Sequence, residues 1–320
     1  MSEPRKHHFV PEVYLQRFAI NKSGDLFSLR VKSVYENQKV KKVNKSQVCY
    51  EFDKYTFKTD KIITANKLKD PNYIEKNRFA YENEELERLF NKIDYSKKLF
   101  VSEVRKLIQI LLNFKRRNPS YSLEYLKPDS NQNLLNVNIE RLEKEIIEAG
   151  MPKERAKAVI DKVKAEMIEN LQDDDYKLDL YRNNLLNFDG EIERNDKPLI
   201  DRLLNWETTV FQTDYQNPFI TSDNPGYTLK NFREVYNMNF DYIDGFAFPL
   251  SPKSLLYFSK SDSLNRFDLF KTINYKKATN RIVLLFNNGT IINSSKFIFS
   301  NTEEQLVIAL EYINQKKNKT

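Results

Sequence analysis

Residues 281–294 read RIVLLFNNGTIINS, and two local structures compete for them. Two β-rich runs flank Asn287-Asn288-Gly289, which is strong hairpin-turn chemistry. The alternative is a single helix with Asn287 on its inner face, at a cost of roughly 1 kcal/mol for an internal glycine relative to alanine. Residue propensity alone leaves both open.

Working outward, residues 297–299 read as extended, and Thr302-Glu303-Glu304 caps a final helix carrying Leu306, Ile308, Leu310 and Ile313. Upstream, residues 208–213, 219–221, 245–249 and 254–258 have the composition of strands. Between them ITSDNPGY packs Thr221, Ser222, Asp223 and Asn224 into a loop, and loops placed by rigid strands commonly carry sites. In the N-terminal part, Pro11 opens a short helix running to Ala19, Ser23-Gly24-Asp25 forms a turn, and residues 26–31 and 33–35 alternate as strands. Residues 47–57, QVCYEFDKYTF, read as one more extended segment.

From Phe79 the period becomes helical, with Leu86, Leu89, Phe90 and Ile93 toward the core and Glu82, Glu84, Glu85 and Glu87 on the acidic side. A second helix over 101–117 carries the stripe Val104, Leu107, Ile108, Leu111 and Leu112 until Asn118-Pro119 stops it. Residues 132–187 lose most aromatics and form a helical pair, punctuated by Gly150 and Pro152. Asp173-Asp174-Asp175 caps the next helix. The expected fold is α+β, a mixed or antiparallel sheet packed with helices, as a single domain over 1–320 with a mostly helical insertion over 130–195.

Composition bounds the function. At 320 residues with 40% hydrophobic content the chain can bury a sizeable core. No apolar run approaches the ~20 residues of a membrane span, and the charged N-terminus lacks a secretory signal, so a cytoplasmic protein without membrane contact is expected. The single cysteine, Cys49, excludes an internal disulfide and a cysteine-based zinc cluster, and its strand-like neighbours favour a buried structural thiol. A net charge of +7 permits contact with nucleic acid, and 18 Tyr and 22 Phe can build core or stack on bases. GxGxxG, P-loop, HExxH and GxSxG patterns are missing, and six glycines supply little material for phosphate-cradling loops.

The histidines of the chain are His7 and His8, side by side in KHHFVPEVYLQRFA. Imidazole titrates near ~6.5, so His7 is the leading acid–base candidate, and His8 can share that role or bind a phosphate. Arg117, at a helix end, can hold a developing phosphorane or complement the helix dipole. Asp223 can orient a histidine or cap its own turn. With Asn224, Asn287 and Tyr14 as substrate contacts, these residues suit metal-independent phosphodiester cleavage. Histidine activates a ribose 2′-hydroxyl, arginine holds the phosphate charge and aspartate orients the imidazole. The expected function is a ribonuclease-like enzyme without cofactor or metal, a toxin or phage-defence effector acting on RNA. One alternative is a non-catalytic module binding nucleic acid, a nucleotide or a protein, the protein through the helical insertion. A further alternative is a metal-dependent nuclease or hydrolase using His7, His8, Asp223 and Glu82 or Glu85.

The ordered segments KHHFVPEVYLQRF, RNP after the middle apolar helix, ITSDNPG, FPLSPK and KFIFS resemble the domain-of-unknown-function family DUF4238 of bacterial proteins, nearly end to end. The helical block over 130–195 is the least typical part. The resemblance implies an asparagine on a helix about ten residues before the terminal aromatic motif. Asn287 fits that place, so the helix is preferred over the hairpin. The family's name records no activity, and the resemblance carries fold and candidate positions only.

Overall fold

The structure is a computed structural model that describes residues 5–31, 38–61, 70–95, 98–186, 192–214, 216–231, 233–237, 243–260 and 269–317. The chain divides into two compact units, one formed by Met1–Lys54, Phe79–Asn118 and Glu191–Thr320, the other by Tyr55–Arg78 and Pro119–Gly190. The class is α+β, as the sequence predicts, with several antiparallel or mixed sheets and a helical central region.

The first unit holds a six-stranded sheet in the spatial order Asn274–Lys277, Glu207–Gln212, Ser254–Ser259, Gly245–Ser251, Tyr227–Lys230, Glu234–Tyr236. Its pairs are antiparallel except Asn274–Lys277 with Glu207–Gln212, which is parallel. An antiparallel four-stranded sheet runs Lys41–Asn44, Asp25–Arg30, Phe297–Ser300, Thr221–Ser222. Two short ribbons pair Lys6–His8 with Tyr50–Phe52 and Lys98–Phe100 with Phe270–Thr272.

Residues 281–294 lie in a helix, Asn280–Asn293. The helix joins two packed clusters: Val283 and Phe286 sit with Tyr227, Leu229, Leu255 and Tyr257, whereas Ile291 sits with Leu29, Ile220, Ile298 and Leu306. Gly289 is not a turn glycine here. A Cβ at that position would meet the Tyr227 ring at 2.4 Å, so the missing side chain lets the aromatic ring close on the helix backbone. That packing outweighs the helical penalty of glycine, which local turn chemistry could not weigh. Asn287 points inward, accepting from Ile220 N at 3.0 Å and donating to Pro218 O at 3.0 Å. One side-chain amide thereby fixes the chain entering Thr221–Ser222.

Other expectations shift with equally local causes. The 101–117 helix is found as Val101–Arg117. The extended segment over 47–57 is shorter: a 3-10 turn spans Lys45–Gln47 and the strand is Tyr50–Phe52. Left-handed φ values of 57° at Cys49 and 51° at Asp53 break the extension on both sides. Of residues 219–221, Thr221 alone joins a strand. The predicted strand over 33–35 lies outside the described residues. Glu82 leaves the acidic side of its helix, Ala80–Tyr95, and is 2% exposed. It stands four residues before Leu86 and eight before Phe90, on the apolar stripe itself.

The second unit is built on the helices Pro128–Glu148 and Lys153–Asn170, separated by Gly150 at φ +71°. Asp173 caps Asp174–Leu186 through its Oδ1, which accepts from Asp175 N at 2.9 Å. Leu135, Met167, Leu171 and Tyr176 form its apolar cluster. Buried Asp179 accepts from Lys58 N, Thr59 N and Thr59 Oγ1 and pairs with Arg182, so it ties the 55–78 segment to the helices of the same unit.

Candidate functional site

The Lys6–His8 ribbon separates its two histidines by simple alternation. In the antiparallel register His7 stands opposite Glu51, His8 opposite Tyr50 and Lys6 opposite Phe52. Successive side chains point to opposite faces, so His7 turns inward, 1% exposed, and His8 shares the other face with Lys6, Tyr50 and Phe52. On that face the His8 and Tyr50 ring centroids lie 5.7 Å apart, and Tyr50 meets Phe52 edge-on at 5.5 Å. Lys6 Nζ sits 4.6 Å from the Tyr50 ring centre, and Phe52 is 57% exposed.

The helix Glu12–Gln16 begins just beyond and supplies the partner of His8. His8 Nε2 is 3.4 Å from Glu12 Oε1, and Lys45 Nζ is 4.0 Å from Glu12 Oε2. Desolvation lowers the pKa of His8 below its ordinary 6.5; Glu12 and a backbone hydrogen bond with Ser46 pull it upward, whereas Lys6 and Lys45 push it down. The result is an imidazole set between one carboxylate and two lysines, with its balance shifted toward the neutral form. A cavity of about 310 Å³ shares Lys45 with this cluster and is otherwise lined by residues that include Tyr14, Gln16, Arg17, Glu87 and Phe90. Arg17 is committed elsewhere, donating to Leu250 O and Asn91 Oδ1 and pairing with Asp94. The Tyr14 hydroxyl is equally committed, 2.7 Å from Thr221 Oγ1 and donating to Pro249 O at 2.8 Å. Its full burial raises its pKa above the usual phenol range.

A second polar cluster is buried where Val101–Arg117 ends against the loop at 223–226. The Asp223 carboxylate accepts from the backbone N–H groups of Ser295, Lys296 and Phe297 at 2.8, 2.7 and 3.2 Å. Asn118 Nδ2 donates to Asp223 O at 2.9 Å. Lys115 Nζ donates to Asn224 Oδ1 at 2.5 Å and to Gly226 O at 2.7 Å. Asn224 and Asn293 are cross-linked: Asn224 Nδ2 donates to Asn293 O at 2.9 Å, and Asn293 Nδ2 returns to Asn224 O at 2.6 Å. Burial drives the Lys115 amine well below its ordinary pKa, opposed by the charge of Asp223, and burial with that same charge drives the Cys49 thiol up. Arg117 pairs with Glu82, lies 3.4 Å over the Phe79 ring centre and is 1% exposed. Asn113 Nδ2 donates to the other Glu82 oxygen at 2.5 Å.

The structure thus brings Asp223 and Asn224 together with Lys115, sets Arg117 against Glu82, and places Asn287 at the other end of the short strand. His8 stands on the ribbon face opposite to that of His7, its side chain 13% exposed. Glu12, Lys45, Lys115 and Asn293 were not read from the sequence as members of these clusters, and Glu82 was read as a metal ligand of one alternative rather than as the partner of Arg117. Two of them left a usable signal: Glu12 follows His8 by four residues, and Lys115 continues the stripe of Leu111 and Leu112. A charged residue in an apolar register position is a candidate for a buried pair. Among the described residues no group of three or more His, Cys, Asp or Glu could hold a metal ion, and no helix is long and apolar enough to cross a membrane. The family described as "Protein of unknown function (DUF4238)" matches residues 6–304. No curated protein and no solved structure matches.

Proposed function

We propose, for a chain that belongs to the DUF4238 family, metal-independent cleavage of single-stranded RNA at the exposed ribbon face, with His8 as its acid–base group. The observation that carries this reading is the alternation that gathers Lys6, His8, Tyr50 and Phe52 on one face, with Glu12 3.4 Å from the imidazole. Bases stack on Tyr50 and Phe52, and Lys6 and Lys45 hold the phosphate charge. Neutral His8 takes the proton of a ribose 2′-hydroxyl, whose oxygen attacks the adjacent phosphorus. The bond to the 5′-oxygen breaks and the imidazolium returns the proton to it, leaving a 2′,3′-cyclic phosphate and a 5′-hydroxyl. Glu12 orients the imidazole and stabilises its charged form. Uncontrolled cleavage of cellular RNA by this route would halt growth, which is the role of a toxin or phage-defence effector that this reading assigns.

In this reading His7, Arg117, Asp223, Asn224 and Asn287 hold the frame. The side chains of Asp223, Asn224 and Asn287 meet the protein's own groups, as when three backbone amides converge on Asp223. A module that binds RNA without cutting it is the second reading, favoured because Lys6, Tyr50 and Phe52 can bind without any reacting group.

Low-level expression of wild type and His8→Ala, with growth and the ends of total RNA followed together, separates the two. The enzyme reading expects new cyclic-phosphate ends in wild type and none in the variant. Unchanged ends from a wild type that retains RNA binding would select the binding module.

The pH profile gives a sharper expectation. The acid limb of kcat/KM lies below 6.5, because desolvation lowers the His8 pKa. Glu12→Gln removes an interaction that raises that pKa, so the limb moves further toward acid. A limb that stays in place, or moves toward alkali, would remove His8 from the acid–base role.

A further inference from the structure

We propose that the groove along the helices Asn280–Asn293 and Glu303–Lys317 docks an amphipathic helix of a partner protein, its acidic end on Arg233 and Arg281. This surface lies apart from the residues given catalytic roles above and does not depend on them.

The groove consists of two cavities that share Leu284 and Asn288. One, of about 700 Å³, is walled by Arg233, Arg281, Ile282, Leu284 and Leu285 among others; the second, of about 180 Å³, continues over Ile291, Ile308, Ala309 and Tyr312. The spacing of these residues is helical on both walls. Leu284, Asn288 and Ile291 follow at four and three residues, and Tyr312 stands four residues after Ile308 and three after Ala309. Two such ridges with a furrow between them accept a third ridge of the same period. The furrow is open to solvent: Leu284 is 46% and Ile308 44% exposed. A small ligand would be enclosed on most sides, whereas a helix needs only a trough.

Charge decides the kind of helix. Arg233 and Arg281 stand at one end, and among the described residues neither makes an ion pair. Glu234, next to Arg233, instead accepts from the Tyr236 hydroxyl at 2.5 Å. Two exposed guanidinium groups beside an apolar trough complement carboxylates flanking a leucine-rich stripe. Asn288 lines both cavities, whereas Asn287 lines the smaller one and holds the chain at 218–220 with its amide.

The test uses the full chain and a fluorescein-labelled, helix-forming probe peptide of roughly 15 residues. The probe has leucine at alternating spacings of three and four and glutamate elsewhere; a control carries lysine for glutamate. Anisotropy should show saturable binding of the glutamate peptide to wild type. Binding should be at least about tenfold weaker for the lysine peptide, for Arg281→Glu and for Leu284→Asp. Both substituted positions are exposed, and circular dichroism checks that each variant is folded. Failure to saturate below about 1 mM would overturn the proposal. So would equal binding of the two peptides. A dimer in sedimentation that Leu284→Asp dissociates would assign the groove to a second copy of the chain instead. RNA cleavage should be unchanged in Leu284→Asp, so the fate of this groove and that of the ribbon face are read separately.

Discussion

Replacing Glu82 with alanine is expected to cost about 3–5 kcal/mol of unfolding free energy, the scale for breaking a buried ion pair from one side. The carboxylate is 2% exposed and receives both Arg117 and Asn113. Its removal takes the counter-charge from a guanidinium that is 1% exposed and packed on the Phe79 ring. The loss comes from leaving a charge in a poorly solvating interior rather than from a missing attraction alone. Glu82→Leu combined with Arg117→Met should therefore recover much of it, since both charges leave together. Urea denaturation of the two single variants and the double variant measures the difference. A Glu82→Ala protein within about 1 kcal/mol of wild type would refute the assignment of a strongly coupled pair.

Asp223→Ala should cost about 3 kcal/mol or more, because three backbone donors converge on one carboxylate. Hydrogen bonds to a charged group contribute roughly 1.5–3 kcal/mol each, and the three share one acceptor, so they do not add in full. The donors are Ser295, Lys296 and Phe297, at the entry of Phe297–Ser300, which lies between Asp25–Arg30 and Thr221–Ser222. Asp223→Asn keeps an acceptor oxygen and should lose less. The same denaturation experiment discriminates roles: a stable Asp223→Ala protein that no longer cuts RNA would return Asp223 to catalysis.

These two positions mark how far the sequence could be read. The helix Val101–Arg117 was legible because five apolar residues repeat on one stripe and Asn118-Pro119 ends it. The roles of Glu82 and Lys115 were not, because a charged residue on such a stripe signals a buried pair without naming its partner. Their partners come from distant parts of the chain: Glu82 meets the far end of the next helix, and Lys115 meets the loop at Asn224. Residues 281–294 were read as the helix they form, though not from their own composition. Their local chemistry favoured a hairpin, and what makes them helical is the Tyr227 ring over Gly289, a contact that pattern alone does not reveal. The family resemblance supplied that missing information through the place of Asn287. At the ribbon, both histidines were visible, but sorting them needed the register with Tyr50–Phe52, which gave one an inward and the other an outward face. The short strands Lys98–Phe100 and Phe270–Thr272 carry too few residues to show a period.

The pairing of Asp25–Arg30 with Phe297–Ser300 also sets a timetable for the nascent chain. As the ribosome proceeds, Asp25–Arg30 can pair early with Lys41–Asn44, a local neighbour. Its opposite edge then waits for Phe297–Ser300, an interval on the order of tens of seconds at ~5–20 residues per second. Through that interval a strand with buried Leu26 and Leu29 carries an open edge, the condition under which chains pair wrongly with one another. The same late segment supplies the amides that receive Asp223. Translation therefore completes the four-stranded sheet and supplies the backbone donors of the buried Asp223 carboxylate in a single late step.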